Sequence, residues 1–77
     1  MKLSKIGPNT TELDLKDGSS VFFSYTTPVA AYVVGRGFMR TRTRYSVTTS
    51  KHVNQWLDGR EAETVEQSEL DGLVVSL

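Results

Sequence analysis

The chain has no cysteine and a single histidine, His52, among its 77 residues. Without thiols it can form neither disulfide staples nor thiolate metal sites. One imidazole excludes HExxH-type sites and every multi-histidine cluster, so no metal and no cofactor is expected. Proline is scarce too, at Pro8 and Pro28 only. The longest apolar stretch, Pro28 to Val34, is far short of the ~20 residues that span a bilayer, so no membrane partner is expected. Met1 to Pro8 carries no apolar run of the length a signal peptide requires. Asn9-Thr10-Thr11 matches a glycosylation sequon, but without such a signal it reads as a polar turn. A cysteine-free chain of this kind is expected in the cytoplasm.

What is present is ordinary for a globular chain: 38% hydrophobic and 23% charged residues. The length suits one small domain over residues 1–77. A core of that size yields only about 3–5 kcal/mol of net stability. With disulfides and metals excluded, a homo-oligomer is expected. The net charge of zero conceals a polarised chain. All nine basic residues lie within residues 1–60, against Glu12, Asp14, Asp17 and Asp58. Residues 61–77 carry Glu61, Glu63, Glu66, Glu69 and Asp71 with no basic residue. The acidic segment 60–77 either lies peripheral to the domain or neutralises its basic middle.

Leu3 to Ile6 reads as a short extended segment closed by the turn cluster Gly7-Pro8-Asn9. Thr11 to Leu15 alternates polar and apolar, with Leu13 and Leu15 inward. The Asp17-Gly18 turn then leads to Val21 to Tyr25, a hairpin signal. Pro28 belongs at a strand start or an edge. Val29 to Val34 is apolar on both alternations, as in a strand covered on both faces. Phe38 to Val47 alternates cleanly and predicts one long strand, its core side formed by Met39, Thr41, Thr43, Tyr45 and Val47. A helix is predicted over Ser50 to Asp58, capped by Thr48, Thr49 or Ser50 and stopped by Gly59. Arg60 to Gln67 reads as irregular. Ser68-Glu69-Leu70-Asp71 resembles a capping box, and Leu70, Leu73, Val74 and Leu77 recur at helical spacing. A second helix is favoured there over a final strand from Leu73 to Leu77. The fold class is α+β: an antiparallel meander of four to five strands with one or two short C-terminal helices packed on one face.

No catalytic motif is found, neither GxSxG nor a phosphate-binding loop, and a serine mechanism would need His52, a serine and a carboxylate to converge. A domain this small is not expected to hold a cleft of ~300 Å³ or more. The chain is therefore read as no enzyme. Its most informative segment runs from Arg36 to Lys51. On a long strand Arg40, Arg42 and Arg44 would project from one face, roughly 6.5–7 Å apart. That spacing is close to that of consecutive phosphates, roughly 6–7 Å. Phe38 would share the face and could stack on a base, and Arg36 and Lys51 would extend the field. Three readings stay open: a solvated sheet face, a partner-binding face, or a face covered by the acidic segment. Thr48, Thr49, Ser50 and Lys51, at a helix N-terminus, are candidates for an anion site or simply for capping. His52 reads as a packing residue and Trp56 as core. Phe22 and Tyr32 imply either a second covered sheet face or an exposed apolar patch.

The stretch from Val21 to Ala31, VFFSYTTPVAA, and more distinctively that from Tyr45 to Leu57, YSVTTSKHVNQWL, resemble small proteins of tailed bacteriophages. The resemblance covers most of residues 1–57. It implies a phage or prophage setting, with the host cell cytoplasm as location, and no mechanism. It favours two partners, a host protein or nucleic acid. A protein-interaction module, such as an inhibitor of a host factor, is favoured over a nucleic-acid-binding module, because zero net charge does not suit a dedicated nucleic-acid binder.

Overall fold

The computed structural model describes residues 2–75. Five antiparallel strands follow one another: β1 (Lys2–Gly7), β2 (Thr10–Asp14), β3 (Ser20–Ser24), β4 (Thr27–Val33) and β5 (Gly37–Thr41). Helix α1 (Val47–Leu57), strand β6 (Glu63–Val65) and helix α2 (Gln67–Val75) complete the chain. The strands form one six-stranded sheet in chain order, and β6 joins β5 in parallel. The fold is α+β as expected, but the sheet is larger than four to five strands and mixed. The sixth strand falls within the Arg60 to Gln67 stretch predicted to be irregular. Three residues give almost no periodicity to read, and Val65 is nonetheless buried.

The first three hairpins follow from local chemistry. Between β2 and β3, the Leu15 amide donates to the Ser19 carbonyl, and the Ser19 amide donates to Asp17 Oδ1 at 2.9 Å. Gly18 supplies a φ of +94° that a residue with a side chain rarely adopts. Asn9 and Tyr25 take left-handed conformations in the neighbouring turns, and the Tyr25 amide donates to the Asn9 carbonyl, tying the two together. Pro28 is the second residue of β4, beside a register shift at which Phe22 faces Ala30 and Phe23 faces Pro28. The extra residue there is Val29, and the resulting bulge turns both Val29 and Ala30 towards one side.

Register separates the two faces of the sheet. Phe22, Ala30 and Arg40 lie across from one another, as do Val21, Ala31 and Met39 on the other side. The first face packs Phe22, Val29 and Ala30 against Val53 and Leu57 of α1. The second packs Ala31 and Met39 against Val65 and Leu70, with Leu73 of α2 beside them. The helices therefore cover opposite faces, not one face, which accounts for the two-sided apolar character of β4. Phe22, 2% exposed, belongs to a covered face. Two apolar residues of the acidic segment enter the core: Leu70 is fully buried and Val65 is 4% exposed. Burying a leucine contributes roughly 1.5–3 kcal/mol, a large share for so small a core.

Helix α2 forms where helical spacing predicted it, one residue before the proposed cap Ser68; Leu77 lies outside the described residues. Helix α1 starts three residues earlier than predicted. Its N-cap is Ser46, in extended conformation, whose Oγ accepts the Thr49 amide at 3.1 Å. At the other end Asp58 takes the left-handed conformation, and its amide closes on the Asn54 carbonyl.

Candidate functional site

The row of Arg40, Arg42 and Arg44 along one strand face does not form. Strand β5 ends at Thr41, whose Oγ1 accepts the Thr43 amide at 3.1 Å. That local bond competes with the sheet ladder and turns the chain away. Arg42 and Arg44 thus lie beyond the strand, in the irregular stretch before α1. Tyr45 and Val47, expected on the core side, are 46% and 86% exposed. Phe38 and Arg40 do share a face, as the alternation predicted, but it is the face that α1 covers. Arg40 Nη1 donates to Asn54 Oδ1 of α1 at 3.2 Å.

Two of the arginines meet the acidic segment. Arg36 reaches Glu69 at 2.6 Å and Glu63 at 3.6 Å, and Arg42 reaches Glu66 at 3.3 Å. Glu69 first, and then Glu63, raises the Arg36 pKa above the usual arginine value. All these side chains are at least 44% exposed, so solvent screens each pair and its contribution to stability is small. Arg44 has no ion-pair partner among the described residues. The basic segment is partly neutralised within the chain, not laid out as a track.

The proposed anion cluster is dispersed as well. The Thr49 amide is taken by Ser46, and Thr49 Oγ1 lies 3.2 Å from both Ser46 Oγ and Ser24 Oγ. Thr49 is buried and Ser50 half-buried, which leaves Thr48 and Lys51 exposed. These hydroxyls bind α1 to β3. His52 joins them through Nδ1, 2.9 Å from Ser24 Oγ, with the Tyr25 ring tilted against it at 6.1 Å. Ser24 and His52 thus converge, but Ser24 is 2% exposed and, among the described residues, no carboxylate bonds to His52. The pair locks a helix to a sheet.

The chemically richer feature lies on the same sheet face, alongside α1. An open groove of about 520 Å³ is lined by Glu12, Tyr32, Phe38, Trp56, Asp58 and Arg60. It exceeds the size expected of so small a domain. Cross-strand pairing of β4 with β5 sets Tyr32 against Phe38, ring centroids 4.8 Å apart. Trp56 meets Phe38 edge-on at 5.8 Å and stacks on Phe22 at 5.2 Å. Trp56 Nε1 donates to Glu12 Oε1 at 2.7 Å, which fixes the indole and the carboxylate together. Burial raises the Glu12 pKa, and neighbouring Asp14 adds to the effect. Asp14 itself is lowered by bonds to Glu12 and Ser20, with Lys2 opposite it in the ladder. The Arg60 guanidinium lies over the Phe38 ring, 5.2 Å from its centroid. Sequence reading placed Trp56 in the core and missed the groove. Tyr32 and Phe38 become neighbours only through the β4–β5 register, and Arg60 only through the turn at Asp58 and Gly59. The visible trace is Tyr32, which the sequence places with Phe22 on either a covered second face or an exposed apolar patch.

Among the described residues no cluster of three or more histidine, aspartate or glutamate side chains is placed to hold a metal, and no helix is long and apolar enough to cross a membrane. No curated protein and no solved structure matches the chain. Residues 1–72 match the model of a "Family of unknown function (DUF8033)", and the chain belongs to that family.

Proposed function

We propose that the chain is a non-enzymatic protein-interaction module that docks a partner protein on the groove beside α1. The observation that supports this reading is the row of part-exposed aromatic rings, Tyr32, Phe38 and Trp56, bordered by Glu12 and Asp58. Aromatic residues backed by a rigid sheet give contact area at low entropic cost, the usual make-up of interaction hot spots. The phage-like segments suit an accessory protein that works in the host cytoplasm, where it engages and inhibits a host factor. The small core favours a homo-oligomer as well, with Leu3 and Val75 among the exposed apolar residues that self-association would cover.

The experiment is affinity capture from host lysate, with and without nuclease, using the native chain and a Tyr32→Ser variant. One host protein should be recovered with the native chain, survive nuclease and be lost with the variant. Equal recovery with the variant would move the interface elsewhere. Binding to single-stranded nucleic acid that is abolished in an Arg40→Ala/Arg42→Ala/Arg44→Ala variant would replace the reading with the nucleic-acid one.

A further inference from the structure

We infer that the groove recognises a basic side chain, arginine or lysine, of the partner protein. This rests on the reading of the groove as a protein-docking site and adds the chemistry of the residue it takes. The first argument is the lining. Three aromatic rings and the Glu12 and Asp58 carboxylates face one open space. Ring faces carry negative electrostatic potential, so rings and carboxylates together favour a cation. Asp14 is already balanced by Ser20 Oγ at 2.9 Å and by Lys2 across the ladder. Glu12, held through Oε1 by Trp56 Nε1, and Asp58 are the carboxylates that line the groove.

The second argument is that the groove already holds a cation of this class. Arg60, from the chain's own turn after α1, sits over Phe38. Its guanidinium has one further contact, Nη1 donating to the Leu57 carbonyl at 3.3 Å. Arg60 is exposed and enters through the left-handed residues Asp58 and Gly59. One ring contact and one long hydrogen bond are a weak hold for a side chain with much rotamer freedom to regain. Arg60 thus acts as an internal stand-in. A partner's basic side chain displaces it, and the vacated lining then presents two carboxylates with no positive charge among them.

The test uses the full chain and its own fluorophore, since Trp56 is the only tryptophan and lines the groove. Blocked peptides of equal length, centred on arginine, lysine, citrulline or glutamate, are titrated while Trp56 emission is followed. The arginine and lysine peptides should bind, and the citrulline and glutamate peptides should bind at least about fivefold more weakly. An Arg60→Ala variant should bind the arginine peptide about two- to fivefold more tightly than the native chain. A Glu12→Gln variant, which keeps an acceptor for Trp56 Nε1, should bind it more weakly. Citrulline binding as tightly as arginine would overturn the inference and leave the groove a peptide site of another specificity. Unchanged or weaker affinity in Arg60→Ala would equally overturn it. Host-protein capture that survives Tyr32→Ser would instead overturn the docking reading itself, so the two failures are distinguishable.

Discussion

Ser46 holds the first turn of α1, not Thr48, Thr49 or Ser50. Its hydroxyl accepts the Thr49 amide, while Thr49 is turned inward to Ser24. Removing an N-cap hydroxyl costs about 1 kcal/mol. Ser46→Ala should therefore lower stability by about that much in urea denaturation, whereas Thr48→Ala should change it by less than about 0.5 kcal/mol. Four hydroxyl-bearing residues, Ser46, Thr48, Thr49 and Ser50, precede Val53 of α1, and each is chemically able to cap. Sequence cannot choose among them, because the choice depends on which hydroxyl the neighbouring strand β3 claims.

Helix α2 depends on packing more than on propensity. Leu70 is its fully buried residue, and Gly72 sits in its middle. A Cβ added at Gly72 would meet nothing within 4 Å. Gly72→Ala should therefore stabilise the protein by about 0.5–1 kcal/mol, read as a rise in thermal midpoint of about 2–8 °C. Helices and hairpins of this chain were legible because their signals are local: Asp17-Gly18 in a turn, or Leu70, Leu73 and Val74 at helical spacing. The alternation predicts β5 through to Val47, but the hydrogen-bonded ladder goes no further than the Arg42 amide, which donates to the Val65 carbonyl at 2.7 Å. Thr41 ends it by accepting the Thr43 amide. Strand β6 was missed because its three residues owe their extension to β5, not to their own sequence.

At the scale of the molecule, charge ties the late elements to the early ones and makes stability depend on pH in opposing ways. Glu12 is raised chiefly by burial. A raised carboxylate contributes stability that is full below its unfolded value and is lost as pH rises through its folded value. Asp14 and Asp17 are lowered, chiefly by hydrogen bonds from the Glu12 side chain and the Ser19 amide respectively. Their contribution is present above the unfolded value, ~3.9, and is lost as pH falls through their folded values. Glu12→Gln removes the first effect while keeping an acceptor for Trp56 and a donor for Asp14. Its stability relative to the native chain should be higher at pH 7 than at pH 4, measured by urea denaturation at both. A constant difference would mean that Glu12 is not desolvated. The arginine face was legible as a charge pattern, but its partners were not, since Glu63, Glu66 and Glu69 reach Arg36 and Arg42 only after the chain has crossed over through α1.

That crossover has a consequence for the order of assembly. Every pairing among β1 to β5 joins neighbours in sequence through a short turn, so the meander can zip up as soon as its residues are available. The parallel pairing of β6 with β5 must wait until the whole of α1 has been placed, and α2 follows it. During synthesis, Ala31 and Met39 therefore stand open to water until Val65 and Leu70 arrive to cover them. A chain cut short before Leu70 would keep its meander and lose its lid, leaving an adhesive surface, so the acidic end serves as the closing step of folding as well as a counterweight of charge.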